Sequence, residues 1–330
     1  MRRLLSLAWI ALLIGCAPVP STPSPIPATG TSAPTETAAP SETPTPTIPS
    51  VTPTLETPSL TPTPDCDASS AVCVEDGHFF FQRPLASRYR RTADQYYLFG
   101  STQSGSRQPH HGVDMPNAAG TPVMAAADGT VVFAGSDAQN PVSPWVNFYG
   151  NVVIIRHQFT GIQQPVFSLY GHLFLIEVAV GQTVRAGDEI GKVGATGVAI
   201  GSHLHFEVRV GENTYDASSN PALWLVPLGG TGVIAGRIVD MQGNLLHLTN
   251  IRLQFYPIAG SNYTGPAIQL ETYGPEKDPV IGDAGLRENF AMGDLAAGRY
   301  RITFIDEGKL YERWVDIQAG KLSFVEFIVK

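Results

Sequence analysis

Short runs of β-branched and aromatic residues, separated by glycines, fill most of the chain after residue 66. The clearest of these runs are residues 121–135, 151–156, 166–172 and 203–210. Runs of this composition and length are typical of β-strands. No long segment with apolar residues at the helical period of about 3.6 residues interrupts them. We therefore expect a mostly β protein whose first folded domain, residues 66–229, is built on antiparallel sheet.

A glycine-rich boundary, Gly-Gly-Thr-Gly at residues 229–232, precedes a second region of similar character. Its segments 233–240 and 300–306 alternate apolar and polar residues, as a half-buried antiparallel sheet does. Turn residues separate several such segments, so we expect an Ig-like β-sandwich over residues 230–330. The stretches GRIVDMQGN and ENFAMGDLAAGRYRITF resemble the small carboxypeptidase-regulatory-like or Cna-B-like modules of exported proteins. His247 is isolated there, and we expect no catalytic cluster in this region.

Residues 1–15 have the proportions of an export signal. Arg2 and Arg3 precede an apolar stretch that is shorter than the roughly 20 residues a membrane-spanning helix needs. The stretch ends in Leu-Ile-Gly-Cys, which resembles the bacterial lipobox and implies cleavage before Cys16 and acylation of that cysteine. An ordinary secretory signal with an incidental cysteine is the alternative. We expect an exported protein, lipid-anchored to a bacterial cell membrane and facing the envelope or the exterior.

Residues 16–65 are dominated by Pro, Thr and Ser. Such a segment cannot bury enough apolar surface to offset its ordering entropy, so we expect a disordered stalk between the anchor and the folded part. Cys66 and Cys73 follow the stalk, and two closely spaced cysteines in an oxidising compartment predict one small disulfide. A pair of free thiols is the alternative.

Five of the chain's eight histidines fall in three short clusters within the first domain. Imidazole and carboxylate suit Zn²⁺, and a catalytic zinc typically has three protein ligands and one water. Because side chains alternate faces along a strand, His203 and His205 are expected to point into one site. If the first cluster is extended, His110 and Asp114 share a face and His111 points away. We therefore take His110 and Asp114 as metal ligands.

Seven short motifs follow one another in this region. They are HxGxD at 110–114, GTPV at 120–123, DGTV at 128–131, YGHL at 170–173, GQxVxxG at 181–187, GxTG at 194–197 and HLHFE at 203–207. In this order they resemble the core of the lysostaphin/LytM-type peptidoglycan endopeptidases, and the resemblance covers roughly residues 95–225.

This resemblance implies that Zn²⁺ is bound by His110, Asp114 and His205. His203 and His172 would then lie beside the metal without binding it, one as general base and the other as transition-state stabiliser. Which of the two histidines has which role stays open. The implied activity is a zinc metalloendopeptidase that hydrolyses peptide cross-links of peptidoglycan. The segment DAQNPVSPWVNF, residues 137–148, is expected to form a loop beside the substrate groove.

Three other functions are alternatives. A catalytically silent member of the same family, which binds the wall or regulates another hydrolase, should have lost metal or base residues. This sequence keeps all five. A biotinyl or lipoyl carrier should present a lysine within a recognition motif at a hairpin tip, and none is found. An iron oxygenase with two histidines and one carboxylate does not account for the additional paired histidines. The net charge of −8 and the dispersed basic residues argue against a nucleic-acid partner.

Overall fold

β-Strands make up nearly all regular structure in the described part of the chain. The computed structural model describes residues 72–256, 265–274 and 280–330. Within these ranges the only helices are two short 3-10 segments, Tyr215–Ala217 and Pro221–Leu223. The expectation of a mostly β protein is therefore confirmed. In the same ranges, no helix has the length and apolar character needed to cross a membrane.

Several predictions from the N-terminus fall outside the described residues. They are the signal segment 1–15, the lipidation site Cys16, the stalk 16–65, and Cys66 as the disulfide partner of Cys73. Each stays a prediction.

The strands of the first part are short and glycine-bounded, as the sequence indicates. In chain order they are β1 (Val72–Glu75), β2 (Val113–Pro116), β3 (Pro122–Met124), β4 (Gly129–Ser136), β5 (Asn151–His157), β6 (Val166–Gly171), β7 (Leu175–Ile176), β8 (Thr183–Val184), β9 (Glu189–Lys192), β10 (His203–Val210) and β11 (Ser218–Ser219).

Seven of these strands form one sheet in the order β11-β10-β6-β5-β4-β8, with β2 also paired to β10. Every pairing in this sheet is antiparallel. A small sheet, β3-β9-β7, is antiparallel as well. The predicted antiparallel architecture of the first part is thus confirmed.

Strand β10 brings the site and the core together. Leu204, Phe206 and Val208 are fully buried in the main apolar cluster. The alternate residues, among them His203 and His205, point to the opposite face of the sheet. Burying apolar surface contributes about 25 cal/mol per Å² to stability. A slip of one residue would turn these three side chains to the other face, so their burial fixes the register of the strand. The apolar face of β10 therefore determines where its histidines point.

The second part contains seven strands. They are β12 (Thr231–Val239), β13 (Asn250–Tyr256), β14 (Ile268–Glu271), β15 (Phe290–Ala296), β16 (Gly298–Asp306), β17 (Lys309–Ile317) and β18 (Leu322–Ile328).

These strands, together with β1, form two four-stranded sheets in the orders β1-β18-β12-β15 and β14-β13-β16-β17. The sheets enclose one apolar cluster, to which Ile234 and Val325 contribute from the first sheet and Leu253 and Ile302 from the second. This is the expected sandwich. It differs from a purely antiparallel one at β12 and β18, which pair in parallel.

The sandwich and the first part share apolar packing. One face of the β1-β18-β12-β15 sheet contributes Val233, Ala235 and Phe324 to the main cluster, which also contains Phe81 and Trp224. The described residues accordingly belong to one compact unit. We retain the division at residues 229 and 230 as a proposal about domains, and the two parts pack directly on each other.

Candidate metal centre

Three predicted ligands converge where β2 pairs with β10. Asp114 on β2 lies directly opposite His205 on β10 in the strand register. His110 precedes β2, and its Nε2 lies 3.2 Å from Asp114 Oδ1 and 3.2 Å from His205 Nδ1. Asp114 Oδ1 and His205 Nδ1 are 2.9 Å apart. One ligand atom from each residue therefore lies at the corner of a small triangle.

The route by which His110 reaches this triangle differs from the expected one. Only residues 113–116 are extended as a strand, and residues 111–112 form a bend before it. Gly112 lies at this bend, where an added Cβ would lie 2.6 Å from the carbonyl oxygen of Phe206 and 2.8 Å from Cε1 of His205. The glycine of the HxGxD motif thus permits the close approach that brings His110 to the site.

The triangle fits a zinc ion in size. Zinc–ligand distances of about 2.0–2.1 Å in a tetrahedron place ligand atoms about 3.3 Å apart. The three observed separations, 2.9, 3.2 and 3.2 Å, are close to that value. Two imidazoles and one carboxylate leave the fourth position of a tetrahedron open, as in a catalytic site.

The hydrogen bonds behind the histidines also favour a cation. Nδ1 of His110 lies 2.8 Å from the carbonyl oxygen of Tyr97, and Nε2 of His205 lies 3.0 Å from Glu207 Oε1. Both partners only accept, so these two ring nitrogens carry the protons. The lone pairs of His110 Nε2 and His205 Nδ1 therefore converge with the Asp114 carboxylate. Three acceptors facing one another need a positive charge between them.

The pKa shifts of these groups have the same origin. Burial lowers the pKa of His205, but hydrogen bonds to Asp114 and Glu207 outweigh it and raise the pKa to about 9. Burial raises the pKa of Asp114, yet the adjacent His110 and His205 hold it well below its usual value. The carboxylate is therefore ionised across the neutral range and attracts either a proton on His205 or a metal ion.

A buried ionic network supports His205 from behind. Glu207, fully buried on the same face of β10, accepts hydrogen bonds from His205 and from the hydroxyl of Tyr149. Arg209 donates to the other carboxylate oxygen of Glu207, with Nε at 2.9 Å. Burial raises the pKa of Glu207, but Arg209 and then His205 more than compensate and lower it to about 2. The carboxylate that orients His205 thus stays charged.

His172 and His203 lie beside the triangle. Nε2 of His203 is 3.4 Å from Asp114 Oδ1, and the rings of His172 and His203 are 4.9 Å apart. Nδ1 of His203 lies 3.0 Å from the carbonyl oxygen of Gly201, and Nδ1 of His172 lies 2.8 Å from that of Thr196. Each Nδ1 therefore carries the proton, and each Nε2 has its lone pair available.

Both histidines are neutral at neutral pH. Burial first, and then the nearby His205 and His203, lower the pKa of His172 to about 3. Burial also lowers the pKa of His203, against the attraction of Asp114. His172 has a left-handed backbone, with φ at +59°. A non-glycine residue in that region is disfavoured, so the surrounding structure holds it there.

Two other histidines have structural partners. Nδ1 of His111 lies 2.9 Å from Ser218 Oγ, and its ring stacks on Tyr215 at 3.6 Å. His157 is buried and contacts Ser168 Oγ through Nε2 at 2.7 Å. Neither belongs to the triangle, so leaving both out of the ligand set agrees with their position.

A groove of about 670 Å³ opens over these residues. The 137–148 segment lines it through Trp145 and Phe148, and Val198 and Ile200 form another apolar part of the wall. Trp145 is 46% exposed and Ile200 is 79% exposed. Such exposed apolar side chains beside a polar centre suit the binding of a partly apolar chain.

The part of the chain that contains the site also matches known proteins. Residues 108–217 match peptidase family M23, and this range contains all five site residues. DD-carboxypeptidase/endopeptidase Mpg from Neisseria meningitidis serogroup B is 42% identical over 101 residues, 31% of this chain and 20% of that protein. Murein hydrolase activator NlpD from Salmonella dublin is 33% identical over 111 residues, 34% of this chain and 25% of that protein. The chain thus spans a quarter or less of the length of these two relatives.

Among solved structures, the catalytic domain of the antimicrobial peptidase lysostaphin from Staphylococcus simulans is 33% identical to this chain. The match covers 34% of this chain and 76% of that domain, with a TM-score of 0.29.

Proposed function

Because the chain carries a peptidase family M23 domain at residues 108–217, we propose that it is a zinc metalloendopeptidase that hydrolyses peptide cross-links of bacterial peptidoglycan. The observation that carries this proposal is the convergence of His110, Asp114 and His205 beside two neutral histidines with free Nε2 lone pairs. A site that only bound the metal would need His110, Asp114 and His205 but not the two neighbouring histidines.

Zinc held by His110, Asp114 and His205 would lower the pKa of a bound water towards neutrality and polarise the scissile carbonyl. His203 is the side chain best placed to take the proton of the attacking water, because its Nε2 lies within 3.4 Å of a ligand oxygen. A general base must be unprotonated at the working pH, and the lowered pKa of His203 meets this condition.

His172 has a different constraint. Its Nδ1 proton is directed at the carbonyl oxygen of Thr196, so neutral His172 presents only a lone pair at Nε2. It can donate to a developing oxyanion, or to the leaving amine, only after Nε2 has gained a proton. We therefore propose that His203 receives the first proton and returns it to the leaving amine as the C–N bond breaks. The lowered pKa of His172 disfavours an imidazolium, so its Nε2 acts as a hydrogen-bond acceptor that orients the attacking water.

The family and the groove both support this substrate class. The apolar wall of Trp145, Phe148 and Ile200 lies beside the polar centre, as a short peptide with methyl and methylene groups requires. The predicted lipid anchor at Cys16 and the stalk 16–65 would keep such an enzyme at the cell envelope. These N-terminal features and the membrane that holds the anchor rest on the sequence motifs alone.

A regulatory role is the second candidate, because one relative is a murein hydrolase activator. An activator needs no intact metal centre, whereas this chain retains the ligand triangle and both neighbouring histidines. The hydrolase is therefore the better supported of the two.

The test is digestion of purified peptidoglycan of several cross-link types by a soluble chain of residues 17–330. Released fragments would be identified by mass spectrometry before and after zinc removal with a chelator. We expect cleavage at one class of peptide bond, loss of cleavage without metal, and recovery on adding zinc. Binding to the wall without any released fragment, with zinc in place, would favour the regulatory role.

A further inference from the structure

The loop formed by residues 94–110, here called the 94–110 loop, ends at the predicted ligand His110, and its first residues also contact the metal centre. At its start, the amide of Asp94 donates to the carbonyl oxygen of Asp114 at 2.8 Å. Near its start, Tyr97 accepts from His110 Nδ1 and stacks its ring on the imidazole, with centroids 4.1 Å apart and planes 8° apart. The orientation of the His110 ring therefore depends on where Tyr97 lies.

The middle of the same loop fixes the backbone of His110. The amide of Gly100 donates to the carbonyl oxygen of His110 at 2.7 Å, and the amide of His110 donates to the carbonyl oxygen of Ser101 at 3.2 Å. Gly100 and Ser101 thus hold the main chain of a predicted ligand from both sides. A shift of this pair moves His110 directly.

This pair is held in turn by the sandwich. Glu271, at the end of β14, accepts from the amide of Thr102 at 2.7 Å, from Thr102 Oγ1 at 2.8 Å and from Ser101 Oγ at 3.2 Å. Hydrogen bonds to an ionised carboxylate are stronger than those between neutral groups. Three such bonds from one carboxylate fix residues 101 and 102 relative to β14.

Apolar packing at the same place reinforces the contact. Phe99 meets Tyr273 edge to face, with ring centroids 5.3 Å apart. Gly100 lies so close to Tyr273 that an added Cβ would be 2.5 Å from that residue's Cβ. The loop residues next to His110 are therefore packed against the sandwich as well as bonded to it.

We infer that the C-terminal sandwich positions His110 for metal binding and that Glu271 is the positioning residue. The inference rests on the proposed function, since it takes His110 as a zinc ligand. Without the Glu271 bonds the 94–110 loop gains alternative conformations, and only the fraction with His110 in place binds metal tightly. The apparent dissociation constant rises in inverse proportion to that fraction.

The experiment measures the zinc dissociation constant of the residue 17–330 chain by competition with a chromophoric chelator. Glu271→Ala should weaken zinc binding about tenfold, in the range found for other residues that support metal ligands. Thr102→Val removes one donor from the loop side and should weaken binding in the same direction. The double variant should be little weaker than Glu271→Ala, because both changes break the same contact.

The control is Glu326→Ala, which breaks an ion pair with Arg237 inside the sandwich and leaves the 94–110 loop untouched. It should bind zinc as the wild type does. A second readout is the visible absorption spectrum of the cobalt-substituted chain, which should change in Glu271→Ala and not in Glu326→Ala.

The outcomes distinguish failure of the metal centre from failure of the positioning role of Glu271. A wild-type chain that binds no zinc overturns the metal centre and the inference together. Tight binding in the wild type, with less than a twofold change in Thr102→Val and Glu271→Ala, overturns the inference and leaves the proposed function standing. If Glu271→Ala does not fold, Thr102→Val alone decides between these results.

Discussion

Glu207 accepts a hydrogen bond from Nε2 of His205 at 3.0 Å, while Nδ1 of the same ring faces Asp114 at 2.9 Å. One imidazole therefore connects the ligand triangle to the buried pair of Glu207 and Arg209. This connection fixes the tautomer of His205, because only a protonated Nε2 can donate to the carboxylate. The ring can then present its Nδ1 lone pair to a metal.

Glu207→Gln should therefore weaken zinc binding by about 10–100-fold. It should also destabilise the fold by about 3–5 kcal/mol, since it leaves the buried Arg209 without its counter-charge. Zinc competition and denaturant unfolding measure the two effects. Glu312→Gln, which removes a surface partner of Arg301, is the control and should change neither quantity. Unchanged zinc affinity in Glu207→Gln would show that the carboxylate does not orient His205.

Gly112→Ala should weaken zinc binding through steric conflict. The added methyl group would meet the backbone oxygen of Phe206 and the ring of His205 at less than 3 Å. Either the bend at residue 112 or the His205 ring must then move. Gly135→Ala is the matched control, because that glycine on β4 has open space around its Cβ position. Zinc content after dialysis compares the two, and equal content would contradict the close approach.

Glu288 predicts a pH dependence of stability that is separate from the metal centre. Burial first, and then the charge of Asp283, raise the pKa of Glu288 to about 8. The folded chain therefore retains a proton that the unfolded chain releases above about pH 4.5. This contribution to stability is full below that pH and is lost as the pH rises through about 8.

Glu288→Gln removes this titration. Between about pH 5 and pH 8.5, the melting temperature of the wild type should fall relative to that of Glu288→Gln, as measured by thermal unfolding of metal-free protein. Parallel pH profiles for the two proteins would show that Glu288 does not bind the additional proton.

Trp145→Ala tests the apolar wall of the groove. If the exposed indole contacts the substrate peptide, its removal should raise KM about tenfold and leave zinc content and melting temperature unchanged. Ile305→Ala, an apolar truncation at an exposed site on the sandwich, provides the comparison and should have no effect on KM. An unchanged KM in Trp145→Ala would place the substrate elsewhere along the groove.

Local periodicity was sufficient to predict the strands and part of the site. Strand β10 has the predicted bounds, and alternation along it correctly places His203 and His205 on one face. The same alternation could have identified Arg209, which lies on that face and closes the network behind Glu207. Alternation places His110 with Asp114 only if the segment between them is extended, whereas in the structure a bend brings His110 to the site.

Local periodicity does not predict contacts between parts of the chain that are distant in sequence. Glu271 and Thr102 are 169 positions apart, and neither has a local pattern that marks it. The pairing of β1 with β18 likewise joins residues about 250 positions apart, so that a segment before the metal centre completes a sheet of the sandwich. Pairings of this kind depend on how whole sheets pack, which single-strand periodicity does not specify.

The most direct test of the hydrolase is the release of new amino termini from purified peptidoglycan by zinc-loaded chain, with His203→Ala and His205→Ala measured in parallel for activity and zinc content. We predict zinc-dependent release by the wild type alone. His205→Ala should lose the metal, and His203→Ala should keep it while losing at least about 100-fold in rate. No release by the wild type from any cross-link type, with zinc bound, would contradict the account, as would full activity in His203→Ala.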